Sequence, residues 1–170
     1  MSDNPAFQLP NKLDVMLPGN ISVEFEKVRS TKKKYQTLRF KVSQGTLSQG
    51  NAEKRFEKSV SINASMSELY RVYLFFGRNP ICNIQKFKML RSDPKEVLFA
   101  EYADEISKGV KFTTEGNNTK LNWFLEPTYA IQVAGMALSS IAENMGVETS
   151  TADRLICQWI GKPNKSAQVN

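Results

Sequence analysis

With 170 residues and a mass of 19.2 kDa, the chain has the length of one compact domain. Its composition, 41% apolar and 24% charged, excludes an intrinsically disordered chain, and the absence of histidine excludes Ser-His-Asp and Cys-His catalysis and any metal site that needs imidazole. The net charge of +6 favours a polyanionic partner.

The two cysteines, Cys82 and Cys157, are too few for a four-thiolate metal site or a disulfide framework, which favours a reducing compartment. No apolar stretch approaches the roughly 20 residues of a membrane span, and the first residues lack the pattern of a signal peptide. We therefore expect a cytoplasmic or nucleoid-associated protein that is not secreted and needs no cofactor or metal.

The first half of the chain predicts three strands and a helix. Residues 1 to 20 carry acidic residues among prolines, and we expect a flexible N-terminal arm there. Alternation of apolar and polar residues then predicts strands over 21 to 28, 35 to 42 and 55 to 62.

A helix is predicted over 66 to 76. Ser65 and Glu68 have the spacing of a capping box, and apolar residues recur behind them at steps of three and four. Gly77 and Pro80 are expected to end the helix.

The same order repeats in the second half. Pro127 is placed to begin a second helix, which is rich in alanine and stops at Gly146. A short third helix is predicted over 151 to 160, followed by a flexible tail over 161 to 170. The strands before these helices are predicted over 81 to 91, 96 to 102, 108 to 114 and 119 to 125, with a turn over 115 to 118.

These elements predict an α+β fold with two antiparallel β-sheets of about four strands, each followed by a helix that covers its apolar face, plus a short C-terminal helix. One domain would span 21 to 160, with units at 21 to 79 and 80 to 146. The small residues of the second helix, together with Trp159 and Ile160, predict self-association as a dimer or tetramer.

Two segments resemble known single-strand-binding proteins. Residues 35 to 76, with the short strand Lys58-Ser59-Val60-Ser61-Ile62 followed by the predicted helix, resemble the DNA-binding domain of the positive cofactor four transcription coactivators. Residues 119 to 146 are similar to the closing strand and helix of the Whirly proteins, which carry two such units in one chain. The resemblance covers 21 to 146 and implies sequence-tolerant binding of single strands across twisted sheets, with the helices forming the oligomer contacts.

The positive charge is concentrated in one segment. Residues 21 to 60 hold ten Lys and Arg against four Glu, which equals the whole excess of the chain. Within it, strand alternation predicts that Tyr35, Arg39 and Lys41 share the face opposite the core. Exposed cations that track phosphates, beside an aromatic ring on which bases stack, are what single-strand binding needs.

The residues predicted to contact nucleic acid fall in both halves of the chain. The first half contributes Lys32, Lys33, Lys34, Tyr35, Arg39, Lys41, Lys54, Arg55 and Lys58. The second half contributes Lys86, Lys88, Lys111, Lys120 and Phe124.

Simpler interpretations compete with this one. The lysines can be ordinary surface residues, and Phe124 becomes a core residue if the strand register slips by one position. We assign Trp123 and Phe112 to the core. The sequence carries no phosphate-binding loop, zincin motif or nucleotide fingerprint, so we do not expect an enzyme.

The predicted function is sequence-tolerant binding of single-stranded nucleic acid, DNA more than RNA, in replication, recombination or transcription. The alternative is an oligomeric assembly protein without a nucleic-acid ligand.

Overall fold

Two four-stranded antiparallel sheets and three helices form the described parts of the chain, which are residues 10–30, 34–45, 58–77, 84–92, 94–103 and 109–160 of a computed structural model. Sheet A consists of β1 (Lys12–Leu17), β2 (Ile21–Arg29), β3 (Gln36–Gln44) and β4 (Lys58–Asn63), in that order. Sheet B consists of β5 (Lys86–Ser92), β6 (Lys95–Tyr102), β7 (Val110–Gly116) and β8 (Thr119–Leu125), in that order. The helices are α1 (Met66–Phe76), α2 (Pro127–Met145) and α3 (Thr149–Ile160).

The predicted fold class is confirmed: each sheet is followed by a helix, and a third helix lies near the C-terminus. Ser65 caps α1 with the predicted capping box, in which its hydroxyl accepts from the backbone N–H of Glu68. Pro127 occupies the first turn of α2, and Gly146 ends that helix in the left-handed conformation. Helix α3 begins two residues earlier than predicted.

The expected flexible arm over 1 to 20 is wrong for residues 12 to 17, which form the edge strand β1. Leu13, Val15 and Leu17 alternate with the more exposed Lys12, Asp14 and Met16 and pair in register with β2, so the strand follows the usual half-buried pattern. Pro10 and Pro18 flank this short segment and made it resemble a loop. Residues 1 to 9 and the predicted tail over 161 to 170 lie outside the described residues.

Several other strand boundaries differ from prediction by a few residues. Strand β5 begins at Lys86, and residues 84 and 85, predicted to belong to it, do not. Residues 81 to 83, predicted to open β5, and residues 55 to 57, predicted to open β4, lie outside the described residues. Strand β7 continues through Gly116, because Asn117 and Asn118, both with positive φ, complete the reversal as a two-residue hairpin turn.

Both sheets share one core, and α1 lies between them. The ring of Phe76 stacks on Phe40 of sheet A at 6.4 Å and on Phe112 of sheet B at 5.8 Å between centroids. Phe112 in turn stacks on Trp123 at 3.9 Å, so the predicted core placement of both residues is confirmed. Burial of each aromatic ring contributes roughly 1.5 to 3 kcal/mol to the free energy of unfolding. The contacts of α1 with both sheets therefore hold the two halves of the chain together.

Helix α2 packs on α1, and its small residues Ala130, Ala134 and Ala137 are all buried within this single chain. These alanines are therefore not exposed for contacts between copies, so the predicted self-association depends on other residues. Helix α3 packs on α2 through Ala152 and Ile156.

Candidate nucleic-acid interface

The face of sheet A opposite the core is electrically balanced. Strand register aligns Lys12, Glu26 and Arg39 in one row across the sheet and Asp14, Glu24 and Lys41 in the next. Arg39 forms an ion pair with Glu26 and lies 3.7 Å from Glu24, and Lys12 lies 2.8 Å from Glu24. Three cations thus face three carboxylates, so the predicted excess of positive charge does not appear on the described part of this face.

Tyr35 does not share that face as an open stacking ring. It precedes β3, is only partly exposed, and lines a cavity of about 400 Å³ with Met66 of α1 and Asn144 of α2. Thr37, the next residue of the same strand parity, is buried and donates its hydroxyl proton to the carbonyl of Ala64. Tyr35 therefore lies half-buried beside the ends of two helices, whereas the prediction grouped it with Arg39 and Lys41 as an open stacking ring.

The remaining predicted residues of the first half are described only in part. Lys34 is exposed, with a φ of 55°, in the turn that joins β2 to β3. Lys58 begins β4. Four predicted residues, Lys32, Lys33, Lys54 and Arg55, lie outside the described residues.

The outward face of sheet B brings together all five predicted residues of the second half. Register sets these side chains in three rows, each crossing β5, β6, β7 and β8 in turn. The first row is Lys86, Glu101, Lys111 and Phe124; the second is Lys88, Phe99, Thr113 and Asn122; the third is Leu90, Val97, Glu115 and Lys120.

This outward face combines positive charge with exposed apolar surface. Four lysines stand against two glutamates in the three rows, and Phe124 and Leu90 are 52% and 53% exposed. Strand β8 alternates strictly between buried and exposed residues. Phe124 therefore lies on the outward face of the sheet and Trp123 on the core face, as predicted. An exposed ring beside lysines matches the arrangement that holds unpaired bases and their phosphates.

The two glutamates form salt bridges with three of the four lysines on this face. Glu101 lies 3.8 Å from Lys86 and 3.7 Å from Lys111, so it links the edge strand to β7. Glu115 lies 2.7 Å from Lys120. The hydrogen bond from Lys120, with the positive charges of Lys95 and Lys88, lowers the pKa of Glu115, which therefore stays ionised at neutral pH.

A polar pair occupies the middle row. Thr113 donates its hydroxyl proton to the side-chain oxygen of Asn122, at 2.9 Å, and the amide of Asn122 stays exposed beside Phe124. An exposed amide can accept from or donate to the edge of any base, which suits binding that tolerates many sequences.

Several residues of this face were not predicted from the sequence. Phe99, Leu90, Val97 and Asn122 share its rows. The signal was present, because Phe99 has the same strand parity as Glu101, and Leu90 has that of Lys86 and Lys88.

The junction of the two sheets depends on one glycine. A side chain at Gly116 would lie 3.2 Å from Val60 and 3.1 Å from Glu96, so glycine allows β4 to approach β7 closely. Beside it, the side-chain amide of Asn117 donates to the carbonyl of Ser59 at 2.9 Å. These contacts fix the β7–β8 hairpin against sheet A.

The helical side of the molecule carries a separate apolar surface. A groove of about 740 Å³ lies between α1 and α3 and is lined by Tyr70, Leu74, Leu155 and Trp159, among others. Trp159 is 78% exposed there. Uncovered apolar surface of this kind is typical of a protein contact.

Comparison with known protein families and with curated proteins gives no match for this chain. Of the helices in the described residues, none is long and apolar enough to cross a membrane. Within the same residues, no three His, Cys, Asp or Glu side chains come together as a metal site.

Proposed function

We propose that this protein binds single-stranded nucleic acid on the outward face of sheet B, with little sequence preference. The observation that carries the proposal is the half-exposed ring of Phe124 beside Lys111, on a face with four lysines and two carboxylates. Lysines would hold the phosphates of any sequence, and Phe124 would stack on an unpaired base. Because bases in a duplex already stack on each other, the ring favours single strands.

The proposal places the chain in the Whirly-like group, and it is this resemblance that favours DNA as the ligand. The order of strands and helices supports the placement: two four-stranded antiparallel sheets, each followed by a helix. A role in replication, recombination or transcription follows, since each of these processes exposes single strands.

Fluorescence anisotropy with a labelled 20-nucleotide oligothymidine, its RNA counterpart and a duplex tests the proposal. We expect wild-type protein to bind the single-stranded DNA most tightly. Phe124→Ala is expected to weaken that binding by about 1 to 3 kcal/mol without changing its salt dependence.

Ile131→Ala provides the matched control, because Ile131 is 67% exposed but lies on α2. Equal binding of duplex and single strand, or equal loss in the two variants, would contradict stacking on Phe124.

A second function, assembly without a nucleic-acid ligand, is favoured by one observation. The groove between α1 and α3 leaves Trp159 exposed, together with Leu155 at 40% and Met145 at 38%. We propose that a second copy of this chain covers this groove, as a dimer or tetramer. Such an oligomer is compatible with nucleic-acid binding, because the groove belongs to the helices and leaves sheet B open.

A further inference from the structure

A third cavity, of about 640 Å³, lies at one end of sheet B, where the start of β6 and the β7–β8 hairpin come together. Among the residues that line it, Val97, Glu115 and Lys120 also form part of the third row of the outward face. The cavity therefore continues the surface that contains Phe124.

The charges around this hairpin cavity are unequal. Glu115 forms a salt bridge with Lys120 and is also close enough to Lys95 and Lys88 for their charges to lower its pKa. The lining residues of the cavity include two lysines, Lys95 and Lys120, and one carboxylate, Glu115, and both lysines are exposed. A phosphate group would add a second negative charge where positive charge is in excess.

The walls of the cavity suit a nucleotide. Pro94 and Val97 supply apolar contact, and Asn118 carries an exposed side-chain amide. The volume falls within the 300 to 1,000 Å³ that is usual for small-molecule sites.

The cavity also lies within reach of a strand that stacks on Phe124. Phe124 and Lys120 are both on β8 and project from the same face. Since a strand rises about 3.4 Å per residue, the two positions are roughly 14 Å apart, which a few linked nucleotides can span.

We propose that the hairpin cavity holds one nucleotide of the bound strand, with Lys95 and Lys120 on its phosphate and Glu115 competing with that phosphate for Lys120. This inference rests on the proposed function and adds a subsite to it. It makes Glu115 the residue that limits affinity at this end of the surface.

Two substitutions with opposite expected effects test the subsite, both measured by anisotropy with the 20-nucleotide oligothymidine across a salt series. Lys95→Ala removes a phosphate contact and should weaken binding about threefold, with a salt slope lower by about 0.7. Glu115→Gln releases Lys120 and should tighten binding about threefold while steepening the slope by about 0.7.

Matched controls make the same change of charge on α3 or at the residue just before it, away from sheet B. Arg154→Ala is the control for Lys95→Ala, and Glu148→Gln is the control for Glu115→Gln; both residues are exposed. We expect each control to change binding by less than about twofold, since screening reduces effects beyond about 10 Å at 0.1 M salt.

The outcomes separate the subsite from the function. If Phe124→Ala weakens binding but each cavity variant behaves like its control, the subsite is overturned and the proposed function stands. If wild-type protein binds no oligonucleotide, both are overturned. Opposite shifts in the two cavity variants, with unchanged controls, support the subsite.

Discussion

At the scale of single residues, the exposure of Phe124 to water is unfavourable for the stability of the folded protein. Full burial of a phenylalanine contributes roughly 1.5 to 3 kcal/mol, and about half of this ring stays exposed on a strand whose neighbours Trp123 and Leu125 are buried. The ring therefore gains from any flat apolar group placed on it, which is why a base is the partner that we propose.

Gly109 is the residue at which a small substitution should destabilise the fold most. Its φ is +80°, and a side chain there would overlap the carbonyl oxygen of Leu125. Gly109→Ala should therefore lower the free energy of unfolding by about 2 to 4 kcal/mol in urea denaturation. Alanine disfavours this positive φ, and its side chain would also clash with the carbonyl oxygen of Leu125.

Gly19 is the matched control for that substitution. Its φ is +81°, but no atom lies within 4 Å of the added side chain, so Gly19→Ala should cost only about 1 kcal/mol. Equal losses in the two variants would show that backbone conformation alone matters and that the Leu125 contact does not.

At the scale of elements, the start of α1 is joined to sheet B through Glu68. Arg91 of β5 donates to both carboxylate oxygens of Glu68, at 3.1 and 2.7 Å, and the Ser65 backbone N–H donates to it at 2.7 Å. Burial alone would raise the pKa of Glu68, but the hydrogen bonds from Arg91 and Ser65 outweigh it and lower the pKa below 4.5.

Glu68→Gln should therefore destabilise the protein by about 1 to 2 kcal/mol at pH 7. A lowered pKa stabilises the folded state above pH 4.5 and ceases to do so as the pH falls through the lowered value. The difference in free energy of unfolding between wild type and variant should therefore shrink below pH 4.5, as urea denaturation at several pH values will measure.

Glu126 is the control at the start of α2, where it is the N-cap residue and its side chain makes no capping hydrogen bond. Glu126→Gln should change the unfolding free energy by less than about 0.5 kcal/mol. A Glu68→Gln loss that is the same at pH 3 and pH 7 would mean that lost packing, and not the ionised carboxylate, is responsible.

Local patterns were sufficient to predict most of these elements. The capping box at Ser65, the proline at 127 and Gly146 gave the ends of α1 and α2 because each signal acts within one helical turn. Strand β1 was missed because its alternation covers only six residues between two prolines, and an isolated segment of that length is a strand only once it pairs with β2.

The candidate site was harder to predict, because the net charge of a sheet face depends on which residues lie across from each other in neighbouring strands. Counting by segment favoured β3, but Glu26 and Glu24 lie directly across from Arg39 and Lys41 in the β2–β3 register. Alternation in β2 already placed those glutamates outward, so a hairpin register would have revealed the cancellation. Tyr35 lines a cavity together with Asn144, over a hundred residues away, and no local pattern predicts that neighbour.

At the scale of the whole molecule, the two sides differ in what they offer a partner. Sheet B presents lysines with an exposed ring, and the helices present the apolar groove around Trp159. With α2's alanines buried, α3 carries the surface for self-association that we propose.

Sedimentation velocity at micromolar concentration should show wild-type protein at a multiple of 19.2 kDa. Trp159→Ser should shift it toward the monomer, because it removes the most exposed aromatic ring of the groove. Ile131→Ser, which changes another highly exposed apolar residue but on α2, should leave the assembly intact. A wild-type monomer at low salt would contradict self-association.

The central claim is that sheet B, and not sheet A, carries the nucleic acid, and a matched pair of double substitutions tests it most directly. Lys86→Gln with Lys111→Gln removes two charges from sheet B, and Lys12→Gln with Lys41→Gln removes two from the outward face of sheet A. Anisotropy with the 20-nucleotide oligothymidine across a salt series should give a salt slope lower by about 1.4 for the sheet B variant and nearly unchanged for the sheet A variant. Equal slopes in the two variants, or a larger loss for sheet A, would contradict the claim.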